Sequence, residues 1–185
     1  MKNKIILAAL MLSSSCAFAD SGYVGVSAGS VTQDLSAQGE TLSKTSTGAK
    51  LYGGYRISPA LGVEAAYVHF GEASTTAEGL TVGSKPKSYY AAVTGTMAVS
   101  PVFSVSAKLG VARTDTTLFV AIDGERAAGK DTGTSAMFGV GAQYKFSETV
   151  SLVAEYENYG KVAKDEQSSL NLKVSMFSVG VRVSF

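Results

Sequence analysis

The chain has 185 residues, with 16 basic and 15 acidic side chains, one histidine and one cysteine. Because nucleic-acid binding proteins carry a clear basic excess, this balance gives no support to that class of function. The chain contains 20 glycines, three prolines and no tryptophan. Apolar residues recur at every second position in many segments, and no segment shows sustained helical spacing. The composition therefore favours an all-β chain, and the length suits one domain.

The first 19 residues have the three parts of a secretory signal peptide. Two lysines precede the apolar run of residues 5–12, and the small-residue motif Ala17-Phe18-Ala19 follows. We predict cleavage before Asp20, which divides the chain into a signal peptide, residues 1–19, and a domain of residues 20–185. Lipid attachment at Cys16 is disfavoured because residues 13–15 are all serine and lack the usual leucine. Cleavage removes the single cysteine, so neither disulfides nor thiol chemistry are expected.

Eight segments of the remaining chain alternate between apolar and small or polar residues and are predicted to be strands. They are residues 21–32, 46–57, 61–71, 87–99, 102–115, 131–146, 150–160 and 171–185. The connections alternate between long, hydrophilic ones of mixed charge and short ones at 58–60, 100–101 and 147–149. Short turns at one mouth and long loops at the other are typical of an antiparallel, up-and-down transmembrane β-barrel, and each segment is long enough to cross a bilayer.

The two faces of the alternation indicate which side meets lipid. In the last segment Phe177, Val179, Val181, Val183 and Phe185 share one face, and small residues with Arg182 share the other. A soluble protein would carry many more charged groups on its polar face. The apolar face is therefore predicted to meet lipid, with the small residues inside a narrow barrel. Two aromatic girdles are expected, Tyr55, Phe103, Tyr144, Phe146 and Phe185 near the short turns and Tyr67, Tyr89, Phe138 and Phe177 toward the other end.

Three stretches resemble the outer-membrane β-barrel superfamily, in particular the OmpA-like transmembrane domain. They are LYGGYRISPALGVEAAYVHFG, FGVGAQYKFSETVSLVAEYENYG and the terminal SVGVRVSF. The resemblance implies that Val179, Val181, Val183 and Phe185 form the signal read by the barrel-assembly machinery, and that periplasmic chaperones assist biogenesis. It also implies a Gram-negative outer-membrane location with periplasmic termini. Because the sequence ends at this strand, we expect no periplasmic peptidoglycan-binding domain.

Charged residues also fall on the predicted interior face. They are Lys50, Arg56, Glu64, Lys108, Lys145, Glu155, Glu157 and Arg182. Buried charges persist only when they are paired or hydrogen-bonded. We therefore predict an interior ion-pair network, assigned to Arg56, Glu64, Lys108, Lys145, Glu155 and Arg182, with ion conduction as the alternative.

Catalysis finds little support in the sequence. His69 is the only histidine; it lies on the lipid-facing side without an adjacent serine, unlike the arrangement in lipid A-modifying barrels. Acid-base chemistry by Glu155 and Glu157 is less favoured than their pairing with cations. No metal site, cofactor site or phosphate-binding loop is expected, so the protein is predicted not to be an enzyme.

The connection between the fifth and sixth segments, TTLFVAIDGERA, predicts a structure raised above the membrane. Asp123-Gly124 is a hairpin signal, flanked by strand formers that include Leu118, Phe119, Val120 and Ile122. The twenty residues from Phe103 to Ile122 extend about 65 Å at roughly 3.3 Å each, well beyond a core about 25 Å tall. Either the apolar residues pack over the barrel mouth against Leu80 or Val82, or the ribbon edge recruits a partner strand.

These observations predict an eight-stranded barrel in contact with outer-membrane lipid, serving envelope structure and adhesion-type surface interaction. A host or envelope ligand at the four long loops is expected, and no nucleic acid. A narrow pore and a lipid A-modifying enzyme are the alternatives.

Overall fold

The computed structural model describes residues 21–37, 40–71, 73–77, 80–122, 125–165 and 170–185. Its strands are β1 (Gly22–Ala37), β2 (Glu40–Arg56), β3 (Leu61–His69), β4 (Ala73–Ala77), β5 (Leu80–Ala98), β6 (Phe103–Ile122), β7 (Glu125–Lys145), β8 (Val150–Asp165) and β9 (Leu170–Ser184). Within these ranges, no helix is long and apolar enough to cross a membrane.

Eight of the strands close into an antiparallel barrel. The sheet order is β3-β2-β1-β9-β8-β7-β6-β5-β4, and a further pairing of β3 with β5 completes the circle. The first and last strands meet through reciprocal backbone hydrogen bonds, from Gly22 N–H to Phe185 O (3.0 Å) and from Phe185 N–H to Gly22 O (2.9 Å). The predicted eight-stranded up-and-down barrel is confirmed.

Each short turn begins with a serine that fixes its geometry. The Oγ atoms of Ser58, Ser100 and Ser147 accept hydrogen bonds of 3.0 Å from the backbone N–H three residues later. A serine side chain in the first position of a turn commonly substitutes for a backbone acceptor in this way. The three turns therefore share one hydrogen-bonding pattern, which keeps the connections at this mouth of the barrel short.

The side chains alternate as the sequence predicts. The exposed large apolar residues form an outward belt that includes Leu109 (68 % exposed), Val140 (54 %) and Val181 (42 %). The predicted girdle residues are exposed at its two borders, except that Phe185 is only partly exposed. At the upper border the rings of Tyr67 and Tyr89 lie 5.1 Å apart.

The strands continue much further than predicted on the long-loop side. The connections expected at 33–45, 72–87, 116–130 and 161–171 are mainly paired strands, and β4 is a ninth strand that the sequence analysis missed. Beyond the apolar belt the outward residues, such as Arg113 and Thr134, are polar, so the apolar and polar alternation that marks a strand in the sequence fades. Pairing there depends on backbone hydrogen bonds between serine- and threonine-rich segments.

Above the belt the barrel separates into two sheets. The pairing of β7 with β8 begins at Phe138 and Asn158, and that of β2 with β3 extends only to Ala49 and His69, among the described residues. One raised sheet contains β4, β5, β6 and β7, and the other contains β8, β9, β1 and β2. We call the paired upper parts of β6 and β7, residues 112–122 and 125–135, the raised ribbon.

The predicted ribbon between the fifth and sixth segments is confirmed. The backbone pairs Ile122 with Glu125, and β5 continues alongside, with Val82 opposite Val120 and Leu80 opposite Ile122. Asp123 and Gly124 themselves lie outside the described residues, as do the side chains of residues 118–122. The structure therefore defines which backbone residues pair with each other in the ribbon.

Candidate functional site

An ion-pair network occupies the middle of the barrel interior. Lys108 Nζ lies 2.6 Å from Glu64 Oε1, 2.9 Å from Glu155 Oε1 and 3.1 Å from Glu157 Oε1. Lys50 Nζ pairs with Glu155 and lies 2.9 Å from Glu157 Oε1. All five side chains are buried almost completely. Since the charges come from four different strands, only a closed barrel assembles them.

Arg182 joins this network from β9. Its Nη2 lies 3.4 Å from Glu64 Oε2 and 3.7 Å from Glu155 Oε1, so the network contains three carboxylates and three cations. Nη1 donates to Gln143 Oε1 (3.1 Å), and Gln143 Nε2 in turn donates to Ser151 Oγ (2.9 Å). The charges therefore balance, and partners on three strands, Glu64, Gln143 and Glu155, hold the guanidinium in place.

Tyrosine side chains complete the hydrogen bonds of the carboxylates. Tyr23 donates to Glu64 Oε2 (3.0 Å) and Tyr159 donates to Glu157 Oε2 (2.8 Å). Tyr90 Oη lies 2.7 Å from Glu64 Oε1 and 2.9 Å from Glu157 Oε1. Buried carboxylates are tolerated only when their lone pairs are satisfied. The tyrosine hydroxyl groups therefore stabilise the buried carboxylates of the network.

Two of the interior rings occupy space left by glycines on neighbouring strands. Tyr52 is opposite Gly25 and Tyr23 is opposite Gly54 in the β1–β2 register. A Cβ atom at either glycine would lie 2.3 Å from a tyrosine ring atom. The rings of Tyr23 and Tyr52 also flank the Arg182 guanidinium, whose carbon lies 4.2 and 5.2 Å from their centres. The glycines thus make room for a cation–π clamp.

The barrel interior is apolar and filled on the long-loop side of the network, and polar and open on the short-turn side. On the long-loop side lies a buried apolar cluster, which includes Val31, Val68, Phe70, Met137, Tyr159, Val174 and Met176. On the short-turn side lies a cavity of about 330 Å³, lined by small hydroxyl residues and by Arg56 and Lys145. The interior is therefore closed toward the raised sheets and open toward the short turns.

The structure brings together four of the six residues assigned to the interior network. These are Glu64, Lys108, Glu155 and Arg182. Among the described residues Arg56 and Lys145 form no ion pair; they lie at the cavity instead. Lys50 and Glu157 complete the network. Arg56 and Lys145 follow the correct alternation but lie too near the strand ends to reach the carboxylates.

Sequence reasoning missed the interior tyrosines and the apolar cluster. Tyr23, Tyr52, Tyr90 and Tyr159 share the alternation of the charged residues, and this was the available signal. The expectation of small residues with isolated charges is therefore wrong for the long-loop half of the interior. There, large apolar side chains fill the lumen, and Val31 occupies space left by Gly48.

The remaining predicted residues lie at the two ends of the barrel. The expected assembly-signal residues Val179, Val181 and Val183 face outward, and the Phe185 ring covers Gly22. Of the residues predicted as candidates for surface recognition, Leu118, Phe119, Val120 and Ile122 lie in the raised ribbon, and Asp123 and Gly124 lie outside the described residues. His69 is exposed on β3, opposite Ala49 and Lys87. Within the described ranges no group of three or more histidine, cysteine or acidic side chains is placed to hold a metal ion.

Comparison with known proteins gives a consistent result. The family described as "Outer membrane protein beta-barrel domain" matches residues 5–185. No curated protein matches the chain in sequence.

Among solved structures, Neisserial surface protein A has a TM-score of 0.60 at 23% identity, covering 89% of this chain and 97% of that one. The attachment invasion locus protein Ail of Yersinia pestis, in complex with the heparin analogue sucrose octasulfate, has a TM-score of 0.58 at 19% identity, with 87% and 98% covered. The N-terminal β-barrel domain of Pseudomonas aeruginosa OprF gives 0.55 at 14% identity, with 88% and 97% covered. At these identities the likeness concerns the fold.

Proposed function

Because the chain belongs to the outer membrane protein β-barrel family, we propose that it is a surface-interaction protein of the Gram-negative envelope. In this proposal the short turns and both termini face the periplasm, and the raised sheets stand outside the cell. The barrel anchors the protein in outer-membrane lipid and contributes to envelope structure. Adhesion to a host or envelope ligand takes place at the raised sheets, and the protein has no catalytic role.

The observation that carries this proposal is the length of the raised ribbon. From Ala112 to Ile122, β6 continues for eleven residues past the last exposed apolar residue of the belt, Val111, or about 36 Å at roughly 3.3 Å per residue. Anchoring in a bilayer does not require this length. Such an extension on a rigid scaffold provides recognition surface.

The free edge of the ribbon suggests how a partner binds. Residues 125–131 of β7 pair with β6 along one side, and no strand pairs with their other side among the described residues. Unpaired backbone N–H and C=O groups of a strand edge bind an extended peptide by strand addition. We therefore favour strand addition at this edge as the mode of adhesion.

The interior argues against a pore as the main function. The neutralised network and the apolar cluster fill the lumen between the cavity and the raised sheets. Conduction needs a continuous wet path, and buried apolar side chains interrupt it. In planar bilayers we expect the folded protein to show no steady conductance; stable channel openings would favour the pore instead.

Shortening the raised ribbon tests the adhesion proposal. Residues 116–127 are replaced by an Asn-Gly turn, which removes the upper part of β6 and β7 but leaves the barrel strands intact. Cells that display this variant should lose binding to host cells or extracellular matrix. One attachment protein of the same fold was solved with a heparin analogue, so immobilised heparin is included as a probe.

A matched variant shortens the other raised sheet. Replacing residues 34–43 by Asn-Gly truncates the β1–β2 hairpin, which should leave adhesion intact. Equal adhesion by wild type and the ribbon-shortened variant, both folded and displayed, would remove the ribbon from the proposal. Absence of adhesion by the wild type itself would remove the adhesion function. Unchanged lipid A mass after exposure to the folded protein is expected because no catalytic role is proposed.

A further inference from the structure

The cavity at the short-turn mouth is a defined chamber within the barrel. It has a volume of about 330 Å³ and is lined in part by Gly62, Thr94, Thr96, Ser104 and Ser106. Small-molecule sites commonly have volumes of about 300 to 1,000 Å³. Because these side chains are small, the chamber remains open where a barrel of this size is normally filled. Its floor is the ion-pair network.

The charges around the chamber do not balance. Glu64 and Glu155 line it, but both already pair with Lys108 and Arg182. The network contains three carboxylates and three cations, so two further cations on the chamber wall, Arg56 and Lys145, lack acidic partners among the described residues. The chamber therefore has a surplus of two positive charges, in a partly enclosed space where the effective dielectric constant is low.

Two guanidinium groups also have unused donors here. The buried Nε atoms of Arg56 and Arg182 have no hydrogen-bond partner. Arg182 uses Nη1 for Gln143 and Nη2 for Glu64, whereas its Nε–H has no acceptor. A buried charged donor without an acceptor is costly. Guanidinium groups suit phosphate-type oxygens through parallel hydrogen bonds.

From these observations we infer that the chamber binds a small phosphate-type oxyanion. Arg56 supplies the main contact, Arg182 and the hydroxyl groups supply further donors, and Lys145 attracts the anion at the entrance. The anion enters through the short-turn mouth, because the network and the apolar cluster close the other direction. The same chemistry serves a free phosphate ion or a phosphate carried by a lipid headgroup.

The experiment uses the folded mature chain in a phosphate-free maltoside detergent. Inorganic phosphate is titrated while the arginine Nε–Hε signals are followed by NMR, and chloride at equal ionic strength serves as the reference. The Arg56 signal is the one absent from Arg56→Gln. We expect a saturable shift of this signal with phosphate and not with chloride. No saturable response to phosphate beyond that to chloride would overturn the inference.

Variants locate the site by calorimetry. Arg56→Gln should weaken phosphate binding about tenfold, and Lys145→Gln several-fold. Arg113→Gln, an exposed position on β6 near the opposite mouth, should leave it unchanged. Equal affinity in Arg56→Gln, Lys145→Gln and Arg113→Gln would overturn the assignment. If Arg56→Gln does not fold, the exposed Lys145 still provides the test. Glycerol 3-phosphate is titrated in parallel; its tighter binding would identify a lipid headgroup, and tighter binding of inorganic phosphate the free ion.

Discussion

Val181 and Arg182 are adjacent on β9 but meet different media. Val181 is exposed on the outward belt, opposite Val26 on β1 and Leu152 on β8. Arg182 points inward, and its guanidinium lies against Tyr23 and the carboxylate of Glu64. One step along a strand therefore separates a hydrocarbon environment from a charged one.

Replacing Val181 by arginine should destabilise the barrel by about 2 to 4 kcal/mol if the position lies near mid-membrane. The reason is the transfer of a charged group into lipid. Folding titrations into vesicles measure the free energy of unfolding, with Val181→Leu as the size-matched apolar control. Equal stability of the two variants would reverse the assignment of faces.

The second residue-scale prediction concerns the pair of Lys108 and Glu64. Removing one partner leaves the buried network with one uncompensated charge, which costs about 3 to 5 kcal/mol, whereas removing both keeps the charges of the network balanced. We expect Glu64→Gln and Lys108→Met each to destabilise, and the double variant to be more stable than the sum of the two predicts. Chemical unfolding of all four proteins measures the coupling energy.

Lys87→Gln combined with Glu64→Gln is the control for that cycle. Lys87 is exposed on β5, away from the network, so its effect should add to that of Glu64→Gln. If the pair of Glu64 and Lys108 is equally additive, the two charges do not interact in the folded barrel.

At the scale of elements, β8 contains an irregularity where it leaves the barrel. Its register with β9 shifts between Asn158 and Lys161. Gly160, within this interval, has φ = +68°, and its N–H donates to Asn158 Oδ1 at 2.9 Å. Bulges of this kind bend a strand and end regular pairing. The irregularity lies where β8 separates from β7, so it is placed to divide the two raised sheets.

Gly160→Ala should destabilise the protein by about 1 to 3 kcal/mol. A Cβ atom there would need a left-handed backbone conformation and would lie 2.7 Å from the Ala136 carbonyl oxygen. Urea unfolding in detergent checks the value. Gly53→Ala is the matched control, because its Cβ would meet no atom closer than 3.5 Å. A loss no larger at Gly160 than at Gly53 would contradict the argument.

At the scale of the whole molecule, the barrel closes where its two ends meet. Phe185 exchanges two backbone hydrogen bonds with Gly22, and its ring covers that glycine. The last residue therefore joins β1 to β9. The same residue is the aromatic end of the predicted assembly signal, so we expect closure and recognition by the assembly machinery to depend on one position.

Deleting Phe185 should slow assembly, and more strongly in vesicles that contain the barrel-assembly machinery than in plain vesicles. Loss of the closing hydrogen bonds should slow folding in both kinds of vesicle. Loss of the recognition signal should slow folding only in vesicles that contain the assembly machinery. Gel mobility of unheated samples follows folding over time. Phe146→Ala removes a ring that is 82 % exposed at a turn and should have little effect. Equal slowing in both vesicle types would assign Phe185 to closure alone.

The sequence by itself determined the class of fold, the number of barrel strands and the faces of each strand. All three properties follow from the alternation of apolar with small or polar residues along each strand. This alternation arises because, inside the bilayer, one face of a strand meets lipid and the other meets a narrow interior. Glu64, Lys108, Glu155 and Arg182 were predictable as interior charges for the same reason. Short turns such as 58–60 identified one mouth of the barrel.

The tertiary structure decided which interior residues meet. Closure brings Lys50 and Glu157 into the network and leaves Arg56 and Lys145 at the cavity, because contact depends on the stagger between strands as well as on the face. It also determined the length of the strands outside the membrane. There the outward residues are polar as well, the contrast between the two faces is weaker, and pairing is set by backbone hydrogen bonds that the sequence pattern does not reveal.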